Sequence, residues 1–558
     1  MQQPLDAINA LQTIPFAINK PLMHWMRRLD PPPLPPPPDG SMTLGQRWYA
    51  KKRYSEAKAR ILEWETILLT AESLPDKFWL PLNIDFRGRV YAIPHFNFQR
   101  DDRVRGLFLF ADGKPIGKNG LAWLKSHVAA RADGVPWSNH QGPRLNELNF
   151  DERVAWTDAN SPLLLKIGRA VLDCEDPAKW AWALPKGEPF QFLAACAELA
   201  QAWDNPEFST RLPLTFDASC SGLQHLCAMT RDEDGGRYVN LTPHEAADDF
   251  YRRVAYKVYM AELSRLTEEC RGRCGVSVEL AKYQSFIDVA PATIADLKRK
   301  RSYPVFLSEP RGMKIVSRRG AALKHPFDRK TVKQPAMSYF YGARAGGFTK
   351  TKAGKWQPFG MTKQLIDAGV SRGHAKELAR AIYTSIEDML RRPKAVRDWL
   401  ERAAHLAGEK DKPLRWTTLL GLTVFNIYQP MDIRRVATSI RGRRRRSNIV
   451  IGDRDGINSK KSADAITANF VHSIDAAHLQ LIALAAAKEG IPLVTVHDCF
   501  GTLASDAELL NEIIRAKLKE MHRRHNWLNN IWASAKGIEP FSDIGTLDLG
   551  NIPFSAYR

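Results

Sequence analysis

Two aspartates stand at the ends of strand-like runs. Asp217 follows LPLTF (212–216), and Asp498 closes IPLVTVHD (491–498). A carboxylate at the end of a buried strand is costly unless something positive meets it. Two such groups on neighbouring strands could share two divalent cations about 3.5–4 Å apart, the arrangement that serves in-line phosphoryl or nucleotidyl transfer. Either aspartate alone would read as readily as a helix cap. Between them lies DRKTVKQPAMSYFYG (328–342), where Arg329, Lys333, Met337 and Tyr341 recur at every fourth position. On a helix they would form one slowly turning stripe about 18 Å long at about 1.5 Å per residue. Two cations begin the stripe and an aromatic ends it. A nucleoside triphosphate has the same polarity, with phosphates for Arg and Lys at one end and sugar and base at the other. By itself such a stripe would be the solvated edge of an amphipathic helix; its place between the two aspartates favours the nucleotide. Small side chains follow Asp217 at once: Ala218, Ser219, Cys220, Ser221 and Gly222.

A chain of 558 residues is too long for one core and predicts two or three subdomains. Lys plus Arg number 81 against 61 Asp plus Glu, a formal charge of +20. That excess points to a polyanion, either nucleic acid or an acidic membrane surface. The sequence reading finds no apolar stretch near the roughly 20 residues of a membrane span and no signal-peptide pattern. It therefore expects an intracellular protein with no membrane partner. The seven cysteines show no disulfide framework. Cys270 and Cys274 form a C-x3-C pair without a second pair or a nearby histidine, which argues against zinc.

The elements that must position the aspartates are mixed. Residues 5–28 have helical spacing with breaks expected at Pro15 and Pro21. DPPPLPPPPDG (30–40) must be extended and reads as a linker, with a docking segment for a proline-binding module as the alternative. Residues 43–73 read as one long charged helix. Short strands are predicted at 89–93, 107–110 and 212–216, and helices at 194–203, 244–263, 362–407 and 463–487. Residues 414–440 alternate like paired strands and lead into the run RGRRRR (441–446).

The motifs carry a resemblance. PLTFDASCSGLQ (213–224), FDRKTVKQPAMSYFY (327–341) and VHDCFGT (496–502) resemble three signatures of the single-subunit DNA-directed RNA polymerases of phages and mitochondria. IDFRGRVYAIPHFNFQ (84–99), GKPIGKNGLAWLK (113–125) and NFVHSIDAAHL (469–479) are also similar to that family, in the same order. The resemblance implies an α+β, mostly helical right-hand fold of palm, fingers and reduced thumb, with a small central antiparallel palm sheet. Asp217 and Asp498 would hold two Mg2+ ions. Lys333 would contact the triphosphate and serve the leaving group, with Arg329 beside it. Tyr341 would check sugar and base pair, His472 would contact the ribose 2′-hydroxyl, and Tyr251 would lie near the incoming nucleotide. His497 would support Asp498. Arg87 and Arg89 would touch template or hybrid backbone, and Arg441, Arg443 and Arg444 would contact phosphate beside a promoter-reading hairpin. The small run 219–222 would leave room for a ribose, favouring RNA over DNA synthesis.

The implied division is an N-terminal helical segment (1–29), the linker (30–40), a helical region opening the palm (41–200) and palm with the first aspartate (201–263). A basic insertion (264–328), fingers (329–410), the hairpin-like segment with an Arg-rich strand (411–446) and palm completion with the C-terminal region (447–558) follow. The expected partners are a DNA template with promoter or hybrid, nascent RNA and ribonucleoside triphosphates. The chain opens near the helix that precedes the polymerase domain of the family, which leaves two readings of promoter choice: the N-terminal domain is lost, or a separate initiation factor or N-terminal-domain partner supplies it. The setting expected is the cytoplasm of a bacterial or phage-infected cell, rather than the mitochondrial matrix. Pro335 and Ala336 replace residues that are usually Thr or Ser and an aliphatic, and a kink is expected at Pro335. Ala218 stands where Gly is common, and the aromatic tail of the family is cut short at Tyr557 and Arg558. The competing readings are promoter-independent, primase-like extension and an inactive nucleic-acid-binding relic.

Overall fold

A computed structural model describes residues 2–29, 33–37, 39, 42, 44–138, 140, 144–205, 207–243, 248–258, 261, 303–305, 314–316, 329–350, 356–370, 372–440, 443–535 and 537–557. The expected insertion at 264–328 falls outside them, except for the antiparallel pair Tyr303–Val305 and Lys314–Val316. Cys270 and Cys274 lie outside them too, as does Arg441. The described residues are mostly helical, with small antiparallel sheets. They form two compact units. One comprises Met1–Ala218, Ala476–Glu520 and Tyr557–Arg558; the other comprises Ser219–Asp475 and Met521–Ala556.

The first unit is built around the helices Gly117–Arg131, Phe150–Leu172 and Pro189–Asp204. The last is apolar nearly all round, so it lies inside. The Phe150–Leu172 helix starts in a reciprocal cap. Asn149 Oδ1 accepts from the Glu152 amide at 2.9 Å, and Glu152 Oε2 accepts from the Asn149 amide at 2.9 Å. A Cβ added at Gly168 would collide with the Cys196 carbonyl, so the two helices meet backbone to backbone there.

Against this core sits a three-stranded antiparallel sheet in the order Val494–Val496, Cys499–Thr502, Leu214–Asp217. Leu214 and Phe216 are buried, while Thr215 and Asp217 point the other way, as the two-residue strand period requires. Trp123 meets the Phe216 ring edge-on at 5.3 Å. Buried Glu198 anchors the approach to this strand. Its Oε1 accepts from Thr210 Oγ1 at 2.7 Å, the Arg211 amide at 2.7 Å and the Leu212 amide at 3.1 Å.

The second unit holds the helices Ser221–Thr230, Arg329–Tyr339, Gly360–Asp367, Arg372–Met389 and Arg391–Glu409. It also holds the hairpin Leu414–Thr417 with Thr423–Asn426, and a long ribbon, Met431–Ile440 with Arg443–Asp453. Trp416 packs edge-on against Phe470 at 5.5 Å and donates to Ser473 Oγ at 2.8 Å.

Two expectations are corrected, and two further elements are placed. Pro21 begins the Lys20–Arg27 helix instead of breaking one, because the first turn needs no amide donor. The Arg329–Tyr339 helix runs through Pro335. Pro335 lies on the buried face with Val332, Ala336 and Tyr339. The arginine-rich run reaches into a strand. Its residues 443–446 form the start of the return strand of the ribbon. Finally, the Ser459–Lys488 helix is long and apolar enough to cross a membrane, but 78% of its apolar window is buried, as in a core helix.

Candidate active site

In the first unit the sheet register brings the two predicted aspartates to one end. Asp217 pairs directly with Cys499, the residue after Asp498. The strand entering from Val494 ends at Val496, so Asp498 is in a turn and does not end the strand as expected. Val496 pairs with Cys499, which leaves His497 and Asp498 as a two-residue loop. The loop demands a left-handed first residue, and His497 supplies it with φ of 58°. The His497 ring meets Tyr91 edge-on at 5.1 Å.

Cys499 reports the charge at this end. Loss of hydration pushes its thiol well up, and the Asp217 carboxylate adds to the rise; Arg131 and Arg105 oppose it, and Asp498 raises it further. Both carboxylates therefore act on one thiol. On the same face, a Cβ at Gly501 would stand 2.8 Å from both Thr215 Cγ2 and Val494 Cγ2, so this part of the sheet has no room for another side chain. Asp217 itself is exposed. Among the described residues no group of three or more His, Cys, Asp or Glu side chains could hold a metal ion. Carboxylates are oxygen donors of the kind that a hard divalent cation takes, with waters and substrate phosphates completing its shell.

Arg87 and Arg89 lie in a tight loop of the same unit. Asp85 Oδ1 accepts from the amides of Arg87 at 2.9 Å and Arg89 at 3.0 Å, and Gly88 takes φ of 92°. The Arg87 guanidinium is ion-paired with Asp85 at 2.6 Å. Its first task in this structure is to hold the loop.

The second unit gathers the nucleotide-binding set. Arg329 opens its helix, donates to Asp249 Oδ2 at 2.6 Å and lies over the Tyr251 ring at 5.4 Å. Tyr251 is buried, and its phenol is pushed well up by burial and by Cys220 beside it. Cys220 holds a left-handed backbone, φ 72°, at the entry to the Ser221–Thr230 helix. Lys333 is exposed one turn beyond Arg329. Tyr341, expected inside the helix, is instead its C-cap. The Ala343 amide donates to the Ser338 carbonyl at 3.0 Å and the Gly342 amide to the Tyr339 carbonyl at 3.1 Å, with Gly342 at φ 86°. The cap turns Tyr341 toward His472, 4.7 Å away between ring centroids. A Cβ at Gly222 would lie 3.6 Å from the Tyr341 hydroxyl. The absent side chain in the small run thus faces the aromatic that the sequence singled out.

The residues after Asp217 are held by a late segment. Within the second unit, Ser219 N–H donates to the Ala556 carbonyl at 3.1 Å, and Gln224 Nε2 to the same oxygen at 3.0 Å. Within the first, Ala218 and Tyr557 form an antiparallel bridge. Sequence reasoning missed Asp249 as the partner of Arg329. It also missed the Schellman cap, although the Tyr341-Gly342 step was a legible stop signal. Arg443 and Arg444 lie in the return strand of the ribbon.

Residues 114–538 match the model of the DNA-dependent RNA polymerase family. DNA-directed RNA polymerase 2B, chloroplastic/mitochondrial, of Nicotiana tabacum is 28% identical over 547 residues, covering 94% of this chain and 47% of that protein. The DNA-directed RNA polymerase of Enterobacteria phage T3 is 29% identical over 582 residues, covering 96% of this chain and 60% of the phage enzyme. The mitochondrial enzyme of Mus musculus is 29% identical over 452 residues, covering 80% of this chain and 32% of its own length. The chain spans about half the length of the curated relatives that it matches. With the family model covering most of the chain, this protein belongs to the DNA-dependent RNA polymerase family.

Proposed function

We propose that the protein is a DNA-directed RNA polymerase that transfers nucleotides from ribonucleoside triphosphates to a growing RNA on a DNA template. One observation supports this above the rest: the register that sets Asp217 against Cys499, beside Asp498, in a chain of this family. In this reading the three-stranded sheet is the palm, and the Arg329–Tyr339 helix belongs to the fingers. The ribbon Met431–Ile440 with Arg443–Asp453 meets DNA.

Asp217 and Asp498 would hold two Mg2+ ions. Bound there, the ions would supply the charge that lowers the pKa of the primer 3′-hydroxyl and stabilises the leaving pyrophosphate. Lys333, exposed on its helix, would reach the triphosphate. Arg329, fixed by Asp249 and Tyr251, would present its guanidinium beside it. Tyr341 and His472 would meet the ribose, where the missing Gly222 side chain leaves space for the 2′-hydroxyl. A site that hydrogen-bonds a hydroxyl rejects the analogue without it far more strongly than an apolar pocket could.

The test is extension of an RNA primer annealed to a DNA template, with Mg2+, supplying ribonucleotides and deoxynucleotides separately. Ribonucleotide extension is expected in the parent. It should vanish in Asp217→Ala and Asp498→Ala while both variants still bind the hybrid. Retained extension in Asp498→Ala would remove the metal assignment. Hybrid binding with no extension by the parent would leave a binding protein of the polymerase family.

A further inference from the structure

Three buried side chains of the second unit have no part in the chemistry above. His225 is 0% exposed, Asp475 3% and His522 6%. His225 Nδ1 and His522 Nε2 share a hydrogen bond of 3.0 Å. His225 Nε2 lies 3.8 Å from Asp475 Oδ1. The three belong to three helices: Ser221–Thr230, Ser459–Lys488 and Ala507–Arg524. A buried polar chain is costly beside an apolar cluster of the same size, so its presence calls for a reason.

The reason lies one turn back along two of those helices. Gly222 precedes His225 by three residues, and Val471 precedes Asp475 by four. A Cβ at Gly222 would meet Val471 Cγ1 at 3.3 Å and the Tyr341 hydroxyl at 3.6 Å. His472, next to Val471, lies against the Tyr341 ring. The same two helices thus touch twice: Gly222 on Val471, then His225 on Asp475. Both contacts advance in the same direction along both helices. An apolar contact is non-directional and would tolerate sliding. The His225–His522 hydrogen bond is directional and ties the Ser221–Thr230 helix to one register, and the Asp475 carboxylate adds a charge contact to the other nitrogen of the same ring. A slip of one turn would carry Gly222 about 5.4 Å from its place under Tyr341.

We infer that the Asp475–His225–His522 chain is a positioning device for sugar selection. It locks the Ser221–Thr230 helix in the register that puts the bare Gly222 Cα against the Tyr341 hydroxyl. His225 and Asp475 are positioning residues, acting through Gly222, Tyr341 and His472. The inference rests on the reading of Tyr341 and His472 as the pair that meets the ribose.

The experiment places a fluorotyrosine at position 341 of the full chain and records its 19F resonance. Incorporation of ribonucleotides against deoxynucleotides is measured in parallel, in the parent, His225→Leu and His225→Gln. His225→Leu is expected to move the resonance and to lower ribose discrimination about tenfold. His225→Gln, whose amide can both donate and accept, is expected to restore both. If His225→Leu does not fold, Asp475→Asn, which keeps shape and loses charge, replaces it, with a shift in the same direction expected. A resonance and a discrimination ratio that match the parent in a folded His225→Leu or Asp475→Asn protein overturn the inference. Equal effects of Leu and Gln overturn it as well, since packing alone would then explain them. Should the parent extend no primer, the polymerase reading fails separately, and the 19F resonance still decides the positioning claim.

Discussion

Glu198 shows how a residue far from the predicted chemistry sets the placement of a catalytic candidate. One oxygen of this buried carboxylate accepts three hydrogen bonds from residues 210–212, and the strand that ends in Asp217 starts two residues later. Burial raises the Glu198 carboxyl above its ordinary range, against the pull of those hydrogen bonds and of Arg211. The folded chain therefore keeps a proton that the unfolded chain gives up sooner. The stability this provides is full below the ordinary glutamate pKa and is lost as pH rises through the folded value. Glu198→Gln keeps an acceptor oxygen and removes the titration. Thermal unfolding of the parent should lose stability relative to Glu198→Gln as pH rises from about 4 toward 7. Parallel curves for the two proteins would show that Glu198 is not the titrating group.

At the scale of elements, the C-cap of the Arg329–Tyr339 helix decides where Tyr341 points. Gly342 needs a left-handed backbone, and a Cβ there would stand 2.8 Å from the Asp464 carbonyl oxygen. Gly342→Ala should cost about 2 kcal/mol in urea unfolding, combining backbone strain with a close contact to rigid backbone. A cost near zero would mean that the cap can rearrange. This element also shows what the sequence made legible. The helix and its basic stripe were readable because Val332, Pro335, Ala336 and Tyr339 follow helical spacing. Its end was misplaced because the fourfold recurrence was followed to Tyr341, the residue before the glycine whose left-handed backbone closes the helix. The Asp217 strand was readable from its apolar run and the small residues after it. The Asp498 turn was not, because His-Asp lacks the usual Asn-Gly or Asp-Gly signal. Arginine is a weak marker of strands, so the length of the return strand, Arg443–Asp453, was not legible although an Arg-rich strand was expected there. The buried His225–His522 contact joins positions 297 apart in the chain, which no local pattern can announce.

At the scale of the whole molecule, a formal charge of +20 bears on association before it bears on chemistry. Binding to a primer–template hybrid should weaken linearly in log–log plots against salt, with a slope of about −0.9 per phosphate neutralised on a duplex. Filter binding or anisotropy across a salt series would measure it. A flat response would separate the basic surface from nucleic-acid binding. The two units divide the candidate residues, with the aspartates in one and Arg329, Lys333, Tyr341 and His472 in the other. The chain passes from Asp217 through Ala218 into the second unit at Ser219, so one peptide segment links the two sets.

The ribbon Met431–Ile440 with Arg443–Asp453 pairs with no third strand among the described residues. Both of its margins therefore present unsatisfied backbone groups, the kind of template on which strands of separate molecules add and aggregate. Ile433, Ile449 and Val450 are exposed along it, which would strengthen such adhesion. Four consecutive arginines at 443–446 on one strand, and Arg434 and Arg435 farther along the other, give every copy the same sign of charge. Like charge opposes the zipping of such ribbons in a crowded solution, so the run that we propose meets DNA would also guard the protein against itself.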